Sequence, residues 1–127
     1  MTDAWVLDTP ALTAYADQSI YMGALVRTAI DREFRLLVPS VCLMQAHATA
    51  PVADLIDLLR SFRPVHVVSL DSDTAKSAGR LWRAKPDADA GAASAAYLAF
   101  HEDAPVVTSD ESRLASLLPP DHRIYTL

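Results

Sequence analysis

Two aspartates stand where a buried strand gives way to the next element. Asp8 follows the apolar run Ala4-Trp5-Val6-Leu7, and Asp110 follows Val106-Val107-Thr108-Ser109. A carboxylate in such a place has two uses. It can cap the helix that starts there, stabilising it by roughly 0.5–2 kcal/mol. It can also act as a rigidly held oxygen ligand for a hard divalent cation. Two carboxylates at one sheet edge favour the second use, because neighbouring like charges are costly unless a cation offsets them.

The elements that would position them alternate along the whole chain. Ala4–Leu7 reads as a first strand, and Thr9-Pro10 places a proline at a first helical position behind a threonine cap. A short helix runs through Tyr15. An amphipathic helix from about Ser19 to Arg32 carries Ile20, Ala24, Leu25, Thr28 and Ala29 on one face. Arg35–Val38 is a second strand closed by Pro39-Ser40, and Ser40 starts a helix to about Ala50. Pro51 ends that helix or restarts it toward Phe62. Val65–Val68 is a third strand, followed by a helix from Asp71 or Ser72 to about Arg83. After Pro86 an alanine-rich helix spans about Asp89 to His101. Pro105–Thr108 is a fourth strand, a short helix reaches Leu117, and Arg123–Tyr125 closes the sheet.

Strands joined by helical crossovers imply a three-layer α/β/α sandwich, with a mostly parallel sheet of four or five strands. No linker divides residues 1–127, which read as a single domain. Such sheets bind ligands outside the carboxyl ends of their strands, the edge to which Asp8 and Asp110 belong.

Composition bounds the partners. Apolar residues make up 51% of the chain, enough to bury a core and too many for a disordered tail. Eleven basic against sixteen acidic residues give a formal net charge of −5. Phosphate backbones therefore gain nothing from the overall field, and any nucleic-acid contact must be local and assisted by metal. A single cysteine, Cys42, forms no internal disulfide and fits a reducing compartment as a small core hydrophobe. No segment approaches the ~18 consecutive apolar residues of a membrane span. No basic stretch opens the chain as in a signal peptide, so the expectation is a cytoplasmic protein.

Val6-Leu7-Asp8-Thr9-Pro10-Ala11-Leu12, Val38-Pro39-Ser40-Val41 opening a helix, and Ala104-Pro105-Val106-Val107-Thr108-Ser109-Asp110 together resemble a PIN domain. The resemblance covers nearly the whole chain in element order and spacing. That family includes the ribonuclease toxins of VapC-type toxin–antitoxin pairs. The resemblance implies a sheet edge gathering three or four acids around Mg²⁺ or Mn²⁺, which activates water to cleave RNA. Asp8 matches the first acid and Asp110 the acid after the fourth strand, with Thr9 and Thr108 at the accompanying hydroxyl positions. The second acid, normally a glutamate, is replaced by Gln45, whose oxygen still ligates but brings no charge. The commonest spacing puts the third acid at Ala92. Asp89 lies one turn upstream on the same face and substitutes for it, or caps the helix. The implied metal set is Asp8, Asp110, Asp89 and Gln45, with Asp8, Asp89 and Asp110 catalytic. Loss of one charged ligand could cost several kcal/mol of transition-state stabilisation, so turnover is expected to be slow or absent.

Other residues carry plainer expectations. Arg80, Arg83 and Lys85 form a mild basic group that meets an RNA backbone or stays a solvated helix face. Trp5 and Trp82 pack, unless Trp82 is exposed and offers a stacking surface. His47 points off the Gln45 face, His66 sits in a strand as a core or edge residue, and His101 and His122 flank turns; their spacing suggests no zinc site. Gly23, Gly79 and Gly91 stand too far apart for a phosphate loop. A phosphoaspartate phosphatase needs an aspartate two positions after Asp8, where Pro10 stands. A receiver domain needs an acidic pair at the first strand and a lysine after the last; neither is evident. The helices between Ser19 and Phe62 carry more apolar residues (Ile20, Tyr21, Met22, Leu55, Leu58, Leu59) than one core face needs. The resemblance implies a homodimer partner or an antitoxin peptide to cover them. The alternative to an RNA-cleaving enzyme is a catalytically inactive PIN-like module binding a protein or RNA. A purely structural homodimer, with a closed sheet edge, is a third.

Overall fold

The structure, a computed structural model, describes residues 3–127. Five strands, β1 (Ala4–Leu7), β2 (Arg35–Pro39), β3 (Val65–Val68), β4 (Val106–Thr108) and β5 (Ile124–Thr126), form one all-parallel sheet in the order β3-β2-β1-β4-β5. The helices are α1 (Thr9–Ala16), α2 (Ile20–Arg32), α3 (Ser40–Thr49), α4 (Ala53–Ser61), α5 (Ser72–Ala84), α6 (Ala90–Glu102) and α7 (Glu111–Ala115). This is the expected three-layer α/β/α arrangement with the five-stranded sheet. None of these helices is long and apolar enough to cross a membrane.

The central strands β1, β2 and β4 bury Val6, Leu7, Leu36, Leu37, Val38, Val106 and Val107, the near-continuous apolar pattern of a sheet covered on both faces. Edge strands β3 and β5 are half open, and His66 lies exposed on β3. Gly91 to Ala96 of α6 are all buried, and these small residues let its backbone lie close against its neighbours. Trp5 packs edge-on against Phe34 and Tyr125 at centroid distances of 4.9 and 5.9 Å, a packing role as its sequence context indicated.

Several local expectations shift. Asp8, not Thr9, caps α1, so Thr9 and Pro10 fill its first turn. The helix α2 buries Met22, Val26 and Ala29 and leaves Ile20 in solvent. Apolar residues outnumber the positions on one face of α2, so the periodicity alone admits two faces. Of the surplus apolar residues of α2 and α4, Ile20, Tyr21 and Leu58 are exposed, while Met22 and Leu59 join the core. Ala50–Val52 separates α3 from α4 at Pro51. The last strand begins at Ile124, opposite Val106, one residue later than its apolar pattern indicated, and extends to Thr126, which pairs with Thr108.

Candidate metal centre

Strand order reverses at β1: the chain leaves it toward β2 on one side and later returns to pair β4 on the other. The crevice at the carboxyl ends of β1 and β4 is therefore the topological switch point of the sheet. Asp8 leaves β1 there and Asp110 leaves β4 two residues beyond Thr108. Asp89 reaches the same place at the start of α6. All three cap helices. Asp8 Oδ1 accepts from the Ala11 amide at 2.9 Å, Asp89 Oδ1 from Ala92 at 2.7 Å, and Asp110 Oδ1 from Arg113 at 3.4 Å. Cap and ligand are thus not alternatives here, since each cap engages one oxygen and leaves Oδ2.

The three second oxygens have different fates. Asp8 is 1% exposed, and its Oδ2 is buried with no hydrogen-bond partner. Burial pushes the Asp8 carboxyl up to about 7; Thr108 and the Ala11 amide draw it down, and the nearby charges of Asp89 and Asp110 raise it further. The other two Oδ2 atoms meet one guanidinium. Arg113 Nη1 lies 3.1 Å from Asp89 Oδ2, and Arg113 Nε lies 3.2 Å from Asp110 Oδ2.

The hydroxyl positions organise the rim. The Thr108 hydroxyl oxygen is buried and accepts from the Asp110 amide at 2.9 Å, fixing the turn that aims Asp110. The Thr9 hydroxyl donates to Gln45 Oε1 at 2.8 Å. Gln45, from α3, lies over Gly91. A Cβ at Gly91 would collide with Gln45 Oε1 and come within 2.8 Å of Thr9 Oγ1, so glycine is what allows this approach. Below it the Cys42 thiol contacts the Gly91 carbonyl at 3.2 Å; burial raises its pKa to about 12, which makes it inert as a nucleophile.

The donor set suits a hard divalent cation in kind: a buried oxygen without a partner, two further carboxylates close enough to act on it, and an amide oxygen. No three His, Cys, Asp or Glu side chains among the described residues gather around one point, and Arg113 engages Asp89 and Asp110. Sequence reasoning missed Arg113 and Gly91. The signal for Arg113 was its place three residues after Asp110 on a helix, where side chains meet.

The remaining candidates lie elsewhere. Arg80, Arg83 and Lys85 are exposed and make no side-chain hydrogen bond or ion pair among the described residues. Trp82 is half exposed beside Arg83. His47 faces solvent with Nε2 3.7 Å from Asp57, and His101 stacks on Tyr97. His122, for which sequence gave no partner, has Nε2 2.7 Å from the Ala104 carbonyl, a contact that requires the proton on that nitrogen.

No family model matches the chain, and no curated protein matches it. Solved structures do. A chain of the DNA-bound VapBC from Salmonella typhimurium aligns with a TM-score of 0.68 at 16% identity, covering 98% of this chain and 97% of that one. A chain of VapBC2 from Rickettsia felis, bound to a DNA fragment from the promoter, aligns with a TM-score of 0.67 at 12% identity, covering 91% and 96%. Over nearly its whole length the protein shares the fold of a chain in these VapBC assemblies, the PIN-like α/β/α sandwich.

Proposed function

We propose that the protein is a PIN-like, VapC-type metal-dependent ribonuclease of low activity, acting as the toxin of a toxin–antitoxin pair. The observation that carries this is Asp8 Oδ2: a buried carboxylate oxygen without a partner, at the switch point of the sheet, with Asp89 and Asp110 beside it. Burying such an atom unpaired is costly, and a cation is the partner that offsets it. Asp8 and Asp110 would hold Mg²⁺ or Mn²⁺, Asp89 would assist, and Gln45 would offer a neutral oxygen. The bound ion would supply the acidity that activates water and the charge that stabilises the phosphodiester transition state. Thr9 and Thr108 orient Gln45 and Asp110. Arg80, Arg83 and Lys85 are free to meet the RNA backbone.

The likeness to VapBC assemblies supports a small protein partner of antitoxin type. Exposed Ile20, Tyr21 and Leu58 would lie against that partner or a second copy of the chain. A second reading, an inactive module that binds protein or RNA, is favoured by Gln45 at a charged ligand position and by Arg113 on two of the three carboxylates.

Calorimetric titration of the purified protein with Mn²⁺, alongside Asp8→Asn and Asp110→Asn, separates the two. Saturable binding lost in both variants, with Mn²⁺-dependent cleavage of an RNA panel, is the expected result. Absence of binding at millimolar Mn²⁺ sinks the nuclease and leaves the binding module.

A further inference from the structure

We infer that Arg113 is a built-in counter-cation of the acidic cleft, competing with the divalent ion for Asp89 and Asp110 and so setting the ion concentration at which the site fills. This rests on the metal-binding reading above. The geometry is specific. One guanidinium spans carboxylates from two separate helix starts, using Nη1 for Asp89 Oδ2 and Nε for Asp110 Oδ2. Those Oδ2 atoms are the ones the helix caps leave over, so Arg113 takes the oxygens a metal would need.

The arrangement answers two needs. Without a cation, three carboxylates at the N-termini of α1, α6 and α7 repel one another, and a single positive charge relieves part of that. With a cation arriving, Arg113 must yield. Its side chain is 40% exposed and its partners 46% and 35%, so both ion pairs are solvated and weak enough to be exchanged for water. Asp8 Oδ2 stays outside the bridge. Linkage then requires that whatever stabilises the bridged form weakens ion binding by the same factor.

The test uses the full chain and Mn²⁺ alone as the probe, with affinity read by calorimetry and Tm read in EDTA. Arg113→Gln should bind Mn²⁺ about tenfold more tightly than wild type, a change of roughly 1.4 kcal/mol. Its Tm in EDTA should fall by a few degrees and recover on adding Mn²⁺. Arg113→Lys, which keeps the charge but cannot span both carboxylates, should lie between the two in affinity, and it serves if the glutamine variant does not fold. Equal or weaker Mn²⁺ binding by Arg113→Gln, while wild type binds and Asp8→Asn does not, overturns the competition and leaves the metal site standing. If neither wild type nor variant binds, the metal reading itself fails and the competition with it.

Discussion

Asp8 joins two demands that conflict. Its Oδ1 must stay in place to start α1, and its Oδ2 is held away from water without a hydrogen bond, although the Thr108 hydroxyl lies near enough to draw its pKa down. The unfolded carboxyl titrates near 3.8 and the folded one near 7, so the native state binds the proton more tightly. The stability this group contributes is therefore fully present below about 3.8 and is lost as pH rises through about 7, a total of about 4 kcal/mol. Urea unfolding in EDTA should show wild type losing stability between pH 5 and 8, with much less loss in Asp8→Asn. Parallel profiles would mean that Asp8 is solvated in solution. Gly91 supplies a second prediction. In most helices glycine to alanine is stabilising, because glycine has the greater backbone freedom to lose on folding. Here the added Cβ meets Gln45 and Thr9, so Gly91→Ala should destabilise by about 1–3 kcal/mol, read as a lower urea midpoint. Neither effect was visible in the sequence, where Gly91 was one of three scattered glycines and Asp8 a carboxylate after a strand.

At the scale of elements, the site is made by helix starts. The strands end at one edge, and α1, α6 and α7 begin there, each on an aspartate that caps it. The alternation of apolar strands with helical stretches made this edge legible, because the order of elements decides where Asp8 and Asp110 must lie. The α2 face was legible only in part: Ala29 is buried as expected, but tertiary contact chose Met22 and Val26 over Ile20 and Ala24. Nor was the meeting of Asp89 with Arg113, since the bridge joins residues 24 apart in the chain. Asp89 does two jobs that substitution can separate. Asp89→Asn keeps an oxygen for the Ala92 amide and loses only the charge toward Arg113; Asp89→Ala loses both. The alanine variant should be less stable than the asparagine variant by about 0.5–2 kcal/mol, the worth of a cap. Thermal unfolding in EDTA would measure this, and equal loss in the two would show that charge, not capping, is what Asp89 contributes.

On the scale of the whole molecule, the proposed ion and the proton would compete for one buried oxygen, and this would tie global stability to both. Raising pH ionises Asp8 at a cost to the folded protein, yet the ionised carboxylate is the form that a divalent ion would need. An ion that binds only the native state stabilises it by RT ln(1 + [L]/Kd), about 2.7 kcal/mol at a hundredfold excess over Kd. The two pH profiles must then diverge. From pH 6 to 8, Tm in EDTA should fall, while the gain in Tm on adding fixed millimolar Mn²⁺ should grow. In Asp8→Asn both trends should flatten, since the proton and the ligand charge leave together. A Mn²⁺ gain that is independent of pH, or that persists in Asp8→Asn, would place the ion away from the switch point. Because this oxygen lies at the end of buried β1 beside buried β4, the effect should appear as one cooperative transition that moves, not as an added step in the unfolding curve.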